Sequence, residues 1–310
     1  MLDQDSHAPD PQAAAEQFDA GTTIIGHVSN SPIDHPLVHL PTVFGIDLSV
    51  TKHVFMLWVV AALVFVIVTA LVRRYLKRGR LVPAGGMNVL ELAVEWVRDD
   101  IARPNVGSKW VKTWTPLLLT FFIFILSANL IGMIPIFEVL GLLDHYVLHT
   151  PEDSLVKGLL HGGATATGNF NVTAGLAVIT FGAIIVAGTK AHGFIKHWTN
   201  LAPSGMPFLI YFLLIPMEII GMFVRPFALT MRLAANMTGG HIALLAILSL
   251  VFVFTEMMNS AMAGLGVGLL FAMPLAVGIS ALELIVILVQ AYVFTLLSAV
   301  FIGMAIHAHH

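Results

Sequence analysis

The sequence predicts an all-α polytopic membrane protein with about five membrane-embedded helices, one interfacial amphipathic helix, and a last pair of helices too long to stand upright. Three observations carry that prediction. Hydrophobic residues make up 57% of the 310 and charged residues only 11%, with a mean hydropathy of +0.89, so a bilayer is the expected solvent. Several apolar runs reach the roughly 20 residues that a helix needs to cross about 30 Å of hydrocarbon. From Leu201 to His310 the only formal charges are Glu218, Arg225, Arg232, Glu256 and Glu283, so the last third holds two uninterrupted apolar stretches.

Residues 1–50 are expected to form a polar segment on the outer side, beginning with DQDSHAPDPQ and lacking the apolar core of a secretory signal. Residues 51–310 then form a single membrane domain. Its first span, 54–76, runs into RRYLKRGR, a basic cluster suited to anchoring at anionic headgroups. An amphipathic helix over 88–101 places Val89, Leu92, Ala93, Trp96 and Val97 on one face and Glu91, Glu95, Arg98 and Asp99 elsewhere, as a helix lying on the membrane would. The second span is 114–137 and the third 172–196. The fourth and fifth, 206–255 and 264–306, are each far longer than the bilayer is thick: fifty helical residues would reach about 75 Å. Each must either break in two or lie strongly tilted. With no polar turn inside them, two long slanted helices turning near Glu256 to Gly264 are expected. The glycines of GLGVG at 264–268 read as close helix packing, since no strand precedes them.

Basic residues at 73–80, Lys190 and Lys196 place those ends in the cytoplasm, while Glu138, Asp144, Glu152 and Asp153 lie outside against Lys157 alone. Five crossings put the N-terminus outside and the C-terminus inside. With no cysteine there is neither a disulfide framework nor a thiolate metal site. A net charge of -3 without a basic block argues against a nucleic-acid partner. No cofactor or metal is expected, and the terminal HAHH reads as a solvated tail.

An arginine at the centre of a membrane helix costs about 2.5–3.5 kcal/mol on insertion scales, so Arg232 requires a purpose. A helix-locking ion pair to Glu218 or Glu283 is one; a functional site is another. On an ideal helix Glu218, Arg225 and Asn236 fall within about 40° of Arg232, whereas His241 points about 180° away. Glu283 and Gln290 share a face of the last helix. Together a neutralisable carboxyl, an imidazole and two amides are the parts of an intramembrane proton relay, although each alone also suits interhelical hydrogen bonding.

The segment MRLAANMTGGH, preceded by PMEIIGMFVRPFAL and followed by ELIVILVQAYVFTLL, resembles subunit a of the F-type ATP synthase membrane sector. IIGHVSNS, PLLLTFFIFILSANLIGMIPIF and GNFNVTAGLAV extend the likeness over nearly the whole chain from about Ile24. The resemblance implies that Arg232 is the essential residue facing the carboxylates of a c-subunit ring. It implies a proton pathway through Asn236, His241, Glu283 and Gln290, with Glu218 on the cytoplasmic side. Some bacterial members carry Glu nine residues after the arginine and His seven before the glutamine; here the pair is exchanged as His241 and Glu283, which suggests that the two side chains touch. The implied partners are the c-ring, the peripheral stalk b subunits, the rest of the complex and membrane lipid. The implied place is a bacterial inner membrane, with the mitochondrial inner membrane as alternative. A secondary proton-coupled transporter is the rival reading; it would show paired broken helices and a substrate cavity. A cytochrome b-like haem protein would need facing histidine pairs that the spans lack.

Overall fold

The computed structural model describes residues 49–79, 82–133, 166–199 and 208–307. The polar N-terminal segment with its IIGHVSNS motif, the last turn of the second expected span, the acidic segment 138–157, Arg80 and the final three residues lie outside the described residues.

Among the described residues five helices are long and apolar enough to cross a membrane, which makes the chain an all-α polytopic membrane protein. The helix α1 spans Lys52–Arg78, α2 Gly86–Trp96, α3 Arg103–Val106 and α4 Val111–Met133. Phe170–His192 forms α5 and Phe194–Thr199 forms α6. The 50-residue α7 covers Phe208–Met257, α8 Ala261–Val267 and α9 Met273–Ile306. By compactness, His241–Ala281 forms one unit and the other described residues a second.

Two wide π-turns, Val97–Ala102 and Gly268–Ala272, join α2 to α3 and α8 to α9. Both precede a proline. Just before Pro104 and Pro274, the N–H of Arg103 bonds the carbonyl of Arg98 and that of Met273 bonds Gly268. A proline ring collides with the carbonyl four residues back, and a widened turn makes room for it without ending the helix. In this way the segment Ala261–Ile306 continues as one candidate span of 46 residues. Pro216 and Pro226 are likewise carried inside α7, where the Thr230 hydroxyl donates to the carbonyl of Pro226 at 3.1 Å.

The first π-turn also moves the buried face of the amphipathic segment. Val89 and Leu92 remain exposed on this chain, as residues offered to lipid must be, whereas Val97, Ile101, Ala102 and Val106 are fully buried. They join Trp114, Leu118, Phe121, Phe122 and Ile125 of α4, Ile184 and Ala187 of α5, and Phe294 and Ile302 of α9 in one core. The extra residue per π-turn advances the register, so the apolar stripe of α2 does not continue in line into α3. Arg98 and Arg103 both pair with Asp99 at 2.6 and 3.0 Å, and the Arg98 hydrogen bond holds the Asp99 carboxyl below the usual carboxylate range.

Between α7 and α8 the chain turns at Met258 to Ser260, with Asn259 in the left-handed region at φ 46°. The Ser260 N–H bonds the Thr255 carbonyl at 3.1 Å. Just past the turn, a Cβ on Gly264 would come within 2.8 Å of the Val251 carbonyl oxygen, and one on Gly268 within 3.2 Å of the Val251 side chain. The first and last glycines of GLGVG are therefore close-packing residues of a helical hairpin, while Gly266 faces open space.

A tighter approach to backbone occurs near the end of α9, where a Cβ on Gly303 would stand 2.2 Å from the backbone oxygen of Asn105. Gly303→Ala is expected to destabilise the fold by about 1–3 kcal/mol through overpacking against immovable backbone, read as a lower melting temperature of the detergent-solubilised protein. An unchanged melting temperature would show that the two backbones can part cheaply.

Candidate functional site

The polar residues of α7 and α9 separate into two groups. Leu229, Leu233 and Met237, spaced four apart, are buried and seat α7 against the protein. Beside that stripe, Asn236 donates through Nδ2 to Oε1 of Gln290 at 2.9 Å. Glu283, two turns before Gln290, is only 6% exposed. It lies against Gly240, where a Cβ would come within 2.8 Å of its Oε1. Gly240 thus admits the carboxyl by having no side chain.

Asn129, Leu233, Asn236, Met237, Glu283, Val286, Ile287 and Gln290 line one small cavity of about 10 Å³, the size of a single water. Two buried atoms of its lining, Oε1 of Glu283 and Nε2 of Gln290, have no hydrogen-bond partner among the described residues. One is an acceptor and the other a donor, so a bridging water would complete both. Asn129 is 1% exposed and accepts from the Thr167 hydroxyl through Oδ1. Neither Asn129 nor Thr167 is among the residues that the sequence marks as site candidates. The signal was one asparagine within the apolar run FFIFILSANLIG.

The second group lies further towards the start of α7. Arg225 Nη2 donates to Glu218 Oε1 at 3.1 Å, and its guanidinium sits 5.9 Å from the centre of the Phe301 ring. Arg232 takes neither Glu218 nor Glu283. It is exposed, with no hydrogen bond or ion pair among the described residues. Of the candidate residues, then, Asn236, Glu283 and Gln290 surround one cavity, Glu218 pairs with Arg225, and Arg232 stands open. His241 begins the other compact unit, half-buried.

The chain matches the family model described as ATP synthase A chain over residues 54–303. It belongs to that family. ATP synthase subunit a 2 of Chlorobium luteolum is 38% identical over 301 residues, covering 94% of this chain and 78% of the relative. ATP synthase subunit a of Chloroherpeton thalassium is 39% identical over 281 residues, covering 88% and 72%, and that of Chlorobium phaeobacteroides (strain DSM 266) is 36% identical over 312 residues, covering 98% and 81%. The matched range takes in all five candidate spans of this ATP synthase A chain family member, save His53 and residues 304–306, and every residue of both polar groups.

Proposed function

We propose that this chain is the proton-channel stator subunit of an F-type ATP synthase, a non-catalytic subunit that couples proton flow to rotation of a c-ring. It works as a multi-pass protein of a bacterial inner membrane, its N-terminus outside, together with the c-ring, peripheral stalk b subunits and the rest of the complex. The observation that carries this reading is the exposed Arg232 guanidinium, unpaired among the described residues of an apolar 50-residue helix. A charge so placed is costly unless an opposite charge meets it from outside the chain.

The mechanism follows from the residues. Protons enter from outside past Glu283, Asn236, Gln290 and His241, where carboxyl and imidazole exchange protons and the amides orient water. They load a ring carboxylate, which travels through lipid in neutral form. When a loaded carboxyl nears Arg232, the permanently charged guanidinium favours its ionised form and the proton leaves through a cytoplasmic-side path lined in part by Glu218. Standing between the two wet paths, Arg232 repels protons that would pass directly, so flow turns the ring. Each charge crossing 100 mV supplies about 2.3 kcal/mol.

Site-directed cross-linking tests the reading, and the absence of native cysteine makes it clean. Ala228, Ala235 and Gly239 are exposed and flank Arg232 by one to two turns. A cysteine at each is expected to form a disulfide with a cysteine beside the ring carboxylate, while Phe65→Cys, at a 70% exposed position on α1, is not. Equal yields at Phe65 and at the α7 positions would remove the ring from this face.

His241→Ala is expected to slow ATP-driven proton pumping severalfold, less than loss of Arg232, because water can bridge a missing imidazole but cannot replace a fixed charge. Wild-type pumping rates in that variant would take His241 out of the pathway.

A further inference from the structure

We propose that Glu218 is the counter-charge of Arg225, and that neutralising this second guanidinium leaves Arg232 as the free cation offered to ring carboxylates. The inference rests on the stator reading above and assigns Glu218 an electrostatic task within it.

Arg225 and Arg232 lie seven residues apart, so they share a face of α7 at heights about 10.5 Å apart. Both are charged at every working pH. Two free guanidiniums on the face that meets the ring would each hold an arriving carboxylate, and the second would trap the rotor off its stopping point. The structure removes that competition at one position only. Arg225 is bonded to Glu218 at 3.1 Å, whereas Arg232 has no such partner among the described residues.

The pairing is built rather than incidental. Glu218 and Arg225 are two full turns apart, beyond the usual neighbours three and four residues away. The guanidinium reaches back over Gly221, where even a Cβ would make only an ordinary contact with Arg225 Nη2 at 3.7 Å. Phe301 of α9 flanks it, its ring centre 5.9 Å from the guanidinium carbon. The aromatic ring thus holds Arg225 along the helix towards Glu218. No other described residue forms an ion pair with either member.

A charge-balanced variant set tests the proposal in the whole complex, read as ATP-driven acidification of inverted vesicles normalised to assembled complex. Glu218→Gln exposes Arg225 and is expected to cut pumping at least fivefold. The double variant Glu218→Gln/Arg225→Gln is expected to pump at least threefold faster than Glu218→Gln alone, because neutrality returns although no carboxyl does. The swap Glu218→Arg/Arg225→Glu, which keeps one charge of each sign, is expected to exceed Glu218→Gln as well, in assembled yield if the single variant assembles poorly. If neither paired variant exceeds Glu218→Gln in yield or rate, Glu218 acts by carrying protons itself and the proposal is overturned. Arg232→Ala separates the two levels: should it pump normally, the stator reading fails, whereas an inactive Arg232→Ala beside unrescued pairs overturns only the counter-charge.

Discussion

Arg232→Ala abolishes ATP-driven proton pumping while the complex still assembles. The two halves of that expectation come from separate facts. Arg232 is exposed and makes no hydrogen bond or ion pair among the described residues, so its loss leaves no buried partner stranded and creates no cavity. Removing a cation from an apolar helix relieves an insertion cost of about 2.5–3.5 kcal/mol, so yield and melting temperature hold or rise. Pumping, by contrast, requires a charge that ionises each arriving carboxyl and bars the direct path; without it a fall of roughly 100-fold or more is expected, since a neutral methyl does neither. Vesicle acidification, ATP hydrolysis and subunit recovery measured on one preparation check all parts. Coupled pumping near the wild-type rate would refute the role of Arg232, and poor assembly would mean that the guanidinium has a structural partner in the complex.

The fold was legible because lipid demands so simple a pattern. Runs such as VFMLWVVAALVFVIVTALV can satisfy their backbone only as helices, and Glu256 with Asn259 and Ser260 is the polar break at which the last pair turns. The π-turns were not legible. They arise from the steric demand of Pro104 and Pro274 inside helices that tertiary packing keeps continuous, and the same prolines could have ended them. One consequence is that the apolar face read over 88–101 divides: Leu92, 66% exposed, points away from the chain as a lipid-facing residue does, whereas Val97 is buried in the core.

In the candidate site, Asn236, Glu283 and Gln290 stood out as polar residues in apolar runs with shared faces, and the structure gathers them about one cavity. Asn129 belongs to a helix more than a hundred residues earlier in the chain, and nothing in its own run indicates which helix it meets. Which arginine takes Glu218 was open for a similar reason. Helical spacing puts Arg225 and Arg232 on one face, and Arg225 is the one that the distant Phe301 packs against.

Glu283→Gln separates proton transfer from packing at that cavity. The substitution keeps size and shape, so the contact with Gly240 and the cavity walls persist. It removes the one group of the lining that can take up and release a proton. Folding is expected to hold: the carboxyl is 6% exposed, its Oε1 has no partner among the described residues to lose, and the amide fills the same space. Pumping is expected to fall about tenfold, less than for Arg232, because general acid–base groups contribute roughly 100-fold or more where transfer must be direct but water can bypass part of a relay. Glu283→Asp, which retracts the carboxyl by one methylene yet can still titrate, should recover part of the rate. The order wild type, Asp, Gln in pumping, against an unchanged or reversed order in melting temperature, identifies a proton carrier. Parallel losses in both would identify a packing residue instead, and the amides of Asn129, Asn236 and Gln290 would then have to serve the path without it.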